Sequence, residues 1–168
     1  VYGPYAAIVT NVEPDHLDHH GTAAAYEQVF REFADTVSGF LVVCADDPGA
    51  AALGAAATVR VLRYGTAPDA DLVLRDLSTV GGSCSYDAVL RGESLGRVTL
   101  QVAGDHMGRN SAAALLTATE LGLPAAQVIA GLAGYSGVRR RMELKGTAAG
   151  IKVYDDYAHH PTEVRAQL

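Results

Sequence analysis

The sequence predicts an α/β fold: a mostly parallel sheet flanked by helices, with an attached antiparallel meander and, close to the C-terminus, the first strand of a further α/β domain. Three observations predict it. Short apolar runs alternate with helical patterns over the first third of the chain, the mark of βαβ units. Three β-rich segments then follow one another across Gly81-Gly82 and Arg91-Gly92-Glu93, which are hairpin signals. After two more helical stretches, a β-favouring segment at 151–154 runs into a polar junction and then Pro161-Thr162-Glu163, which suits the first turn of a helix.

The elements follow in order. Residues 6–10 are an apolar strand ending at Asn11. Thr22 can cap a helix running to about Val37, because Tyr26, Val29, Phe30 and Phe33 recur at helical spacing and Gly39 closes it. Residues 40–44 form the next strand. Asp46-Asp47-Pro48-Gly49 opens a short Ala-rich helix, and residues 59–64 are a third strand. The meander spans 72–80, 83–90 and 94–102. Past Gly104, residues 106–121 form an Ala/Leu helix, and residues 124–132 a second one with Pro124 in its first turn. A Gly-rich polar stretch at 134–150 reads as a linker by its change of composition.

Composition sets outer limits. The 168 residues suffice for a domain with a proper core, and 49% hydrophobic content argues against disorder. A net charge of -6 argues against a nucleic-acid or anionic-membrane surface, yet Arg139, Arg140 and Arg141 are consecutive and can serve a small anion. No apolar run approaches a membrane span, and Cys44 and Cys84 each sit in a strand-like stretch, as buried thiols of a reducing compartment do. The expected location is the cytoplasm.

Four polar clusters carry the candidate chemistry. Residues 10–22, TNVEPDHLDHHGT, follow the first strand with acids and histidines that suit a divalent metal; they equally suit a solvated turn whose acids cap the next helix. His19 and His20 read as surface residues. Residues 104–110 present a Gly-rich strand-to-helix turn whose free amides can receive a phosphate, or simply begin a helix with Asp105 as its cap. The arginine triplet can meet a polyphosphate or be a solvated hinge. Asp155-Asp156-Tyr157-Ala158-His159-His160 can bind ribose hydroxyls or a metal and move protons, or be a polar turn satisfying its own backbone.

Taken in order, these blocks resemble the Mur ligases, and within them the alanine-adding branch. The carriers are TNVEPDHLDHHGT, GDHMGRNSAAALLTA at 104–118, GVRRRMELKG at 137–146 and VYDDYAHHPTEV at 153–164. The resemblance implies a central ATP-binding domain over 1–133, an interdomain linker over 134–150 and the start of a C-terminal domain over 151–168. It implies ATP and Mg²⁺ as cofactors and ADP-forming amide synthesis between UDP-N-acetylmuramate and L-alanine. By matching positions, His16 would bind Mg²⁺, His106 and Asn110 would lie at the adenine side of ATP, and Arg141 would lie near the transferred phosphate. Asp156 would stand near the nucleotide, with Tyr157 and His160 toward the amino acid.

Departures accompany the match. Family members carry a Gly-Lys-Thr-type phosphate loop and a metal-binding glutamate ahead of the first block, and the sequence has neither; most of the C-terminal domain is absent as well. Met107 takes the place usually held by asparagine. The chain alone is therefore expected to lack ligase activity. Competing readings are a recycling ligase that adds a tripeptide to the same nucleotide sugar, a metal-dependent phosphoesterase using Asp18, His19 and His20, and a binding module without catalysis.

Overall fold

A computed structural model describes residues 2–167. The chain runs β1 (Ala6–Val9), α1 (Leu17–His20), α2 (Ala23–Ala34), β2 (Phe40–Cys44), α3 (Pro48–Ala56), β3 (Arg60–Gly65), β4 (Leu72–Val80), β5 (Ser83–Leu90) and β6 (Glu93–Leu100). Then come α4 (Asp105–Glu120), α5 (Ala125–Ala133), β7 (Glu143–Ala148), β8 (Ile151–Asp155) and α6 (Pro161–Gln167). Strands β1 to β6 form one sheet in sequence order. Its first three pairings are parallel and its last two antiparallel, as the βαβ pattern and the two hairpin signals require.

Strand β2 is buried along its whole length, so it reads as an unbroken apolar run instead of alternating. Its odd and even residues face different helices. Gly54 of α3 lies against Val43 and Val61, placing α3 on that face. On the opposite face lies α4, whose Gly108 lies against Leu77, Cys84 and Tyr86. Strand β5, covered on one face, alternates instead: Cys84, Tyr86 and Ala88 are fully buried, with half-buried residues between. Ser111 donates to the Gly108 carbonyl at 2.8 Å, so the Tyr86 hydroxyl is the donor in its 3.0 Å bond to Ser111 Oγ. That bond satisfies the one buried polar side chain of α4.

Two of the expected caps formed, while Asp105 became the first residue of α4, behind Gly104 at the N-cap, and its carboxylate accepts from Thr79 Oγ1 at 2.9 Å instead. Thr22 Oγ1 accepts from Ala25 N at 3.1 Å and Asp47 Oδ1 from Ala50 N at 2.7 Å. Other boundaries moved. Helix α2 stops at Ala34, three residues short of Val37, where Thr36 bonds the Phe33 carbonyl and turns the chain. Pro124 stands just before α5 as its N-cap, not within its first turn. The short helix α1 lies in a loop expected to be irregular.

The stretch 134–150 is not irregular throughout. Its second part is β7, which pairs with β8 around Ala149 and Gly150, both at positive φ (49° and 80°). Two positive φ values in a two-residue loop make the hairpin turn that matches strand twist. A hairpin turn and a flexible linker share Gly-rich composition, which is why residues 143–148 read as linker; residues 151–155 are thus the second strand of a hairpin. Among the described residues no helix is long and apolar enough to cross a membrane.

Gly49 connects this framework to the polar loop after β1. Asp47 Oδ1, besides capping α3, accepts from Val12 N at 3.0 Å, and a Cβ on Gly49 would collide with the Val12 carbonyl. Because the obstacle is backbone, Gly49→Ala should cost about 1–3 kcal/mol by overpacking. Thermal unfolding should show a melting temperature lower by roughly 2–4 °C per kcal/mol. An unchanged melting temperature would mean that the loop yields freely.

Candidate functional site

The carboxyl ends of β1 and β2 and the start of α4 form one side of a cleft of about 1220 Å³; the segment after α5 and helix α6 form the other. Open α/β sheets place ligands at this edge because the loops there diverge while the strands hold them rigidly.

Asp46, just past β2, organises the sheet side. One carboxylate oxygen accepts from Thr66 N at 2.8 Å and Thr66 Oγ1 at 3.1 Å; the other accepts from Arg109 Nε at 2.8 Å. A single side chain thereby joins the ends of β2 and β3 to α4. Burial raises the Asp46 pKa, but Arg109 and the Thr66 donors outweigh it and hold the carboxyl below its ordinary value. Beside it, the Tyr64 hydroxyl is buried and lacks a hydrogen-bond partner among the described residues; burial pushes its pKa up, so it remains a neutral donor in the cleft wall.

At the start of α4, Gly104 has φ 106° and its missing side chain leaves room for the His106 ring. His106 and Asn110, four residues apart, share one helical face and both line the cleft. Burial lowers the His106 pKa, against the opposing pull of Asp105 and Asp156. The ring is neutral at pH 7 and offers one nitrogen as acceptor. Met107 is partly buried against the core, while also edging the cleft.

Asp156 shapes the opposite side. Its carboxylate accepts from Met142 N at 2.7 Å and Ala158 N at 2.6 Å, holding the turn that contains Arg141. Burial raises its pKa, but those two amides, Arg141 and His106 bring it below the usual value. Arg140 and Met142 both have positive φ (61° and 48°), so the arginine segment is a tight turn, and residues 139–142 are exposed in it. Arg141 lies in the cleft, 3.6 Å from Glu163, while Arg140 turns away to stack on Tyr157 at 4.5 Å. Glu163 reaches back to the amides of His159 and His160 at 3.1 and 3.3 Å, and His160 Nδ1 accepts from Thr162 N at 3.4 Å, a reciprocal cap for α6. Thr162 Oγ1 donates to Glu13 at 2.7 Å and joins the two sides directly.

His106, Asn110, Arg141 and His160 therefore meet in one cleft. Asp156 stands behind it, engaged with backbone. Tyr157 and His16 do not line it: Tyr157 is exposed against Arg140, and His16 is exposed in a left-handed conformation beside Asp15. Asp18, His19 and His20 lie in or beside α1, with His20 packed edge-on to Tyr26, and form no site with the cleft residues. Sequence reasoning missed Arg109 and Tyr64, and gave Asp46 only the role of opening a helix. Nothing local to either Asp46 or Arg109 marks a pair 63 residues apart.

Residues 1–118 match the Mur ligase middle domain, and residues 140–168 match the Mur ligase glutamate ligase domain. The chain belongs to the Mur ligase family. Similar Mur ligases include the UDP-N-acetylmuramate–L-alanine ligases of Mycolicibacterium gilvum, 52% identical over 99% of this chain, and Saccharopolyspora erythraea, 52% identical over its whole length. This chain spans 36% of the length of each. Among solved Mur ligases, MurC from Thermotoga maritima superposes with a TM-score of 0.81 at 26% identity, over 98% of this chain and 37% of that one. MurF from Acinetobacter baumannii superposes with a TM-score of 0.85 at 23% identity over 98% of this chain and 36% of that one, a likeness of fold. The second match begins at residue 140, just before β7, inside the stretch read from sequence as linker.

Two measurements check this geometry. Arg109→Leu strands the Asp46 carboxylate with only the Thr66 donors and should cost on the order of 1–2 kcal/mol in urea unfolding, since the pair is only partly buried; no loss would remove Asp46 from its organising role. His106 has a folded pKa below its ordinary 6.5, so the unfolded chain binds the proton more tightly. Stability is full above that value and falls as pH drops through it toward the folded pKa. Urea midpoints at about pH 7.5 and about pH 5.5 should differ less in His106→Gln than in the parent; an equal fall in both would show that other groups cause it.

Proposed function

We propose that this chain supplies the ATP-binding cleft of a ligase that joins L-alanine to the carboxylate of UDP-N-acetylmuramate, releasing ADP and phosphate. The observation that carries this is the half-identity, over essentially all of the chain, to proteins bearing that name, an identity that includes the segments on both sides of the cleft. The same relatives favour L-alanine over a tripeptide as the amine partner. We also read residues 134–142 as the connection between the two family domains.

The cleft supports the chemistry as follows. A muramyl carboxylate oxygen attacks the γ-phosphorus of ATP and ADP leaves; the amine then attacks the acyl carbon and phosphate departs. Both steps crowd anions, so the barrier is chiefly electrostatic. Arg141 places a permanent positive charge in the cleft, held in its turn by Asp156. Neutral His106 and Asn110 offer an acceptor and an amide without adding charge, as recognition of a nucleobase requires. His160, capped by Glu163 and close to Glu13, stands on the side from which an amine would approach. Asp15 offers a carboxylate oxygen and His16 an imidazole nitrogen within 4.8 Å of each other, donors that fit a divalent cation; these residues would hold Mg²⁺, which when bound would supply charge neutralisation to the phosphates.

The test is ADP release with UDP-N-acetylmuramate and L-alanine, using the longest reading frame that contains this chain. Arg141→Ala should lower kcat by about 100- to 1000-fold, as loss of one electrostatic contact to a transition state does, while His160→Ala should act mainly on KM for L-alanine. The 168-residue chain alone, without a phosphate loop in its sequence, should give no turnover. Faster product formation with a tripeptide than with L-alanine would replace the alanine assignment.

A further inference from the structure

We propose that Tyr157, which the family resemblance sets toward the amino acid, acts instead as a positioning residue: with Arg140 it forms a clamp that turns Arg141 into the cleft. This rests on the reading of Arg141 as the cation of the ligase cleft. The three consecutive arginines divide their work. Arg139 and Arg141 line the cleft, while the Arg140 guanidinium lies over the Tyr157 ring at 4.5 Å. The two soft dihedrals of Arg140 set the direction in which the chain enters Arg141, so whatever fixes the one aims the other.

Arg140 is fixed through its backbone and its side chain together. Its φ of 61° is uncommon for a residue with a side chain and needs support from its surroundings. The Arg140 amide donates to Glu143 at 3.0 Å, and its carbonyl accepts from Tyr157 N at 2.9 Å. The guanidinium then stacks on the ring of that same tyrosine, whose edge is met by the His159 ring at 5.2 Å. On the other side of Arg141, Met142 has φ 48° and donates its amide to Asp156 at 2.7 Å. Arg141 is therefore bracketed by two left-handed residues, each tied to the turn before α6, Arg140 through Tyr157 and Met142 through Asp156. Glu163, 3.6 Å from the Arg141 guanidinium, is beyond hydrogen-bond reach and does not do the aiming. Holding the backbone orients the charge without neutralising it.

In the ADP-release assay on the longest reading frame that contains this chain, Tyr157→Ala should lower kcat by roughly 10- to 100-fold, as misplacing a catalytic group by about 1 Å does. The KM for L-alanine should stay as it was. Tyr157→Phe keeps the ring face and should restore kcat. Arg140→Leu should match Tyr157→Ala, and the double variant should be no worse than either, because both remove one interaction. In an Arg141→Ala background, Tyr157→Ala should have no further effect. A raised KM for L-alanine with kcat unchanged, no rescue by Tyr157→Phe, or a further loss in the Arg141→Ala background would each overturn the clamp. A second measurement needs no turnover: in the 168-residue chain, trypsin should cut after Arg139 and Arg141 faster in Tyr157→Ala than in the parent or in Tyr157→Phe. Equal rates would overturn the clamp and leave the ligase assay standing. Faster cutting in Tyr157→Ala, with no ligase turnover in the parent, would uphold the clamp and overturn the ligase reading instead.

Discussion

Helix α4 can present His106 and Asn110 to the cleft only because of how it sits on the sheet. Gly108 lets its backbone approach Leu77, Cys84 and Tyr86, at a propensity cost of about 1 kcal/mol that the close packing offsets. Arg109, the next residue, meets Asp46 and fixes the rotation of the helix about its axis. Since Asp46 also holds Thr66, the same carboxylate keeps the ends of β2 and β3 in register with the helix start. Without this arrangement the helical face that the two polar side chains share would not be held toward the cleft.

The other side of the cleft follows the same logic with backbone partners. Asp156 and Glu163 are acids in a region dense with arginine, yet their oxygens mostly receive amides: Asp156 those of Met142 and Ala158, Glu163 those of His159 and His160. They set the shape of two turns, and Arg141 and His160 take their positions from it. Glu13, Asp15, Asp46 and Asp47 line the cleft from the sheet side together with Arg109, while Arg139 and Arg141 line it from the other beside Glu143 and Glu163. Carboxylates therefore outnumber guanidiniums in its walls, and any anion that enters meets the positive charge of only a few arginines.

Much of the fold was legible in the sequence because the signals are local. Residues 40–44 are apolar without interruption, as a strand buried on both faces must be; 72–80 and 83–90 carry hairpin glycines between them; Thr22 and Asp47 cap where cap residues should. The β7–β8 hairpin was not legible, because Thr147-Ala148-Ala149-Gly150 has the composition of a linker and only pairing makes it a turn. In the candidate site, His106, Asn110, Arg141 and His160 were each found from a local motif. Their convergence was not.

What the sequence determined by itself was the kind of chain this is: its apolar periodicities set a parallel sheet with a meander, and its four polar blocks set the family it resembles, since both are carried by neighbouring residues. Tertiary structure decided which of those polar residues share a cleft. Asp46 with Arg109, Glu13 with Thr162, and Asp15 and His16 with His159 are all pairs that only folding brings into reach. Hydrogen bonds and charge pairs act over a few ångströms, and distance along the chain does not reveal them.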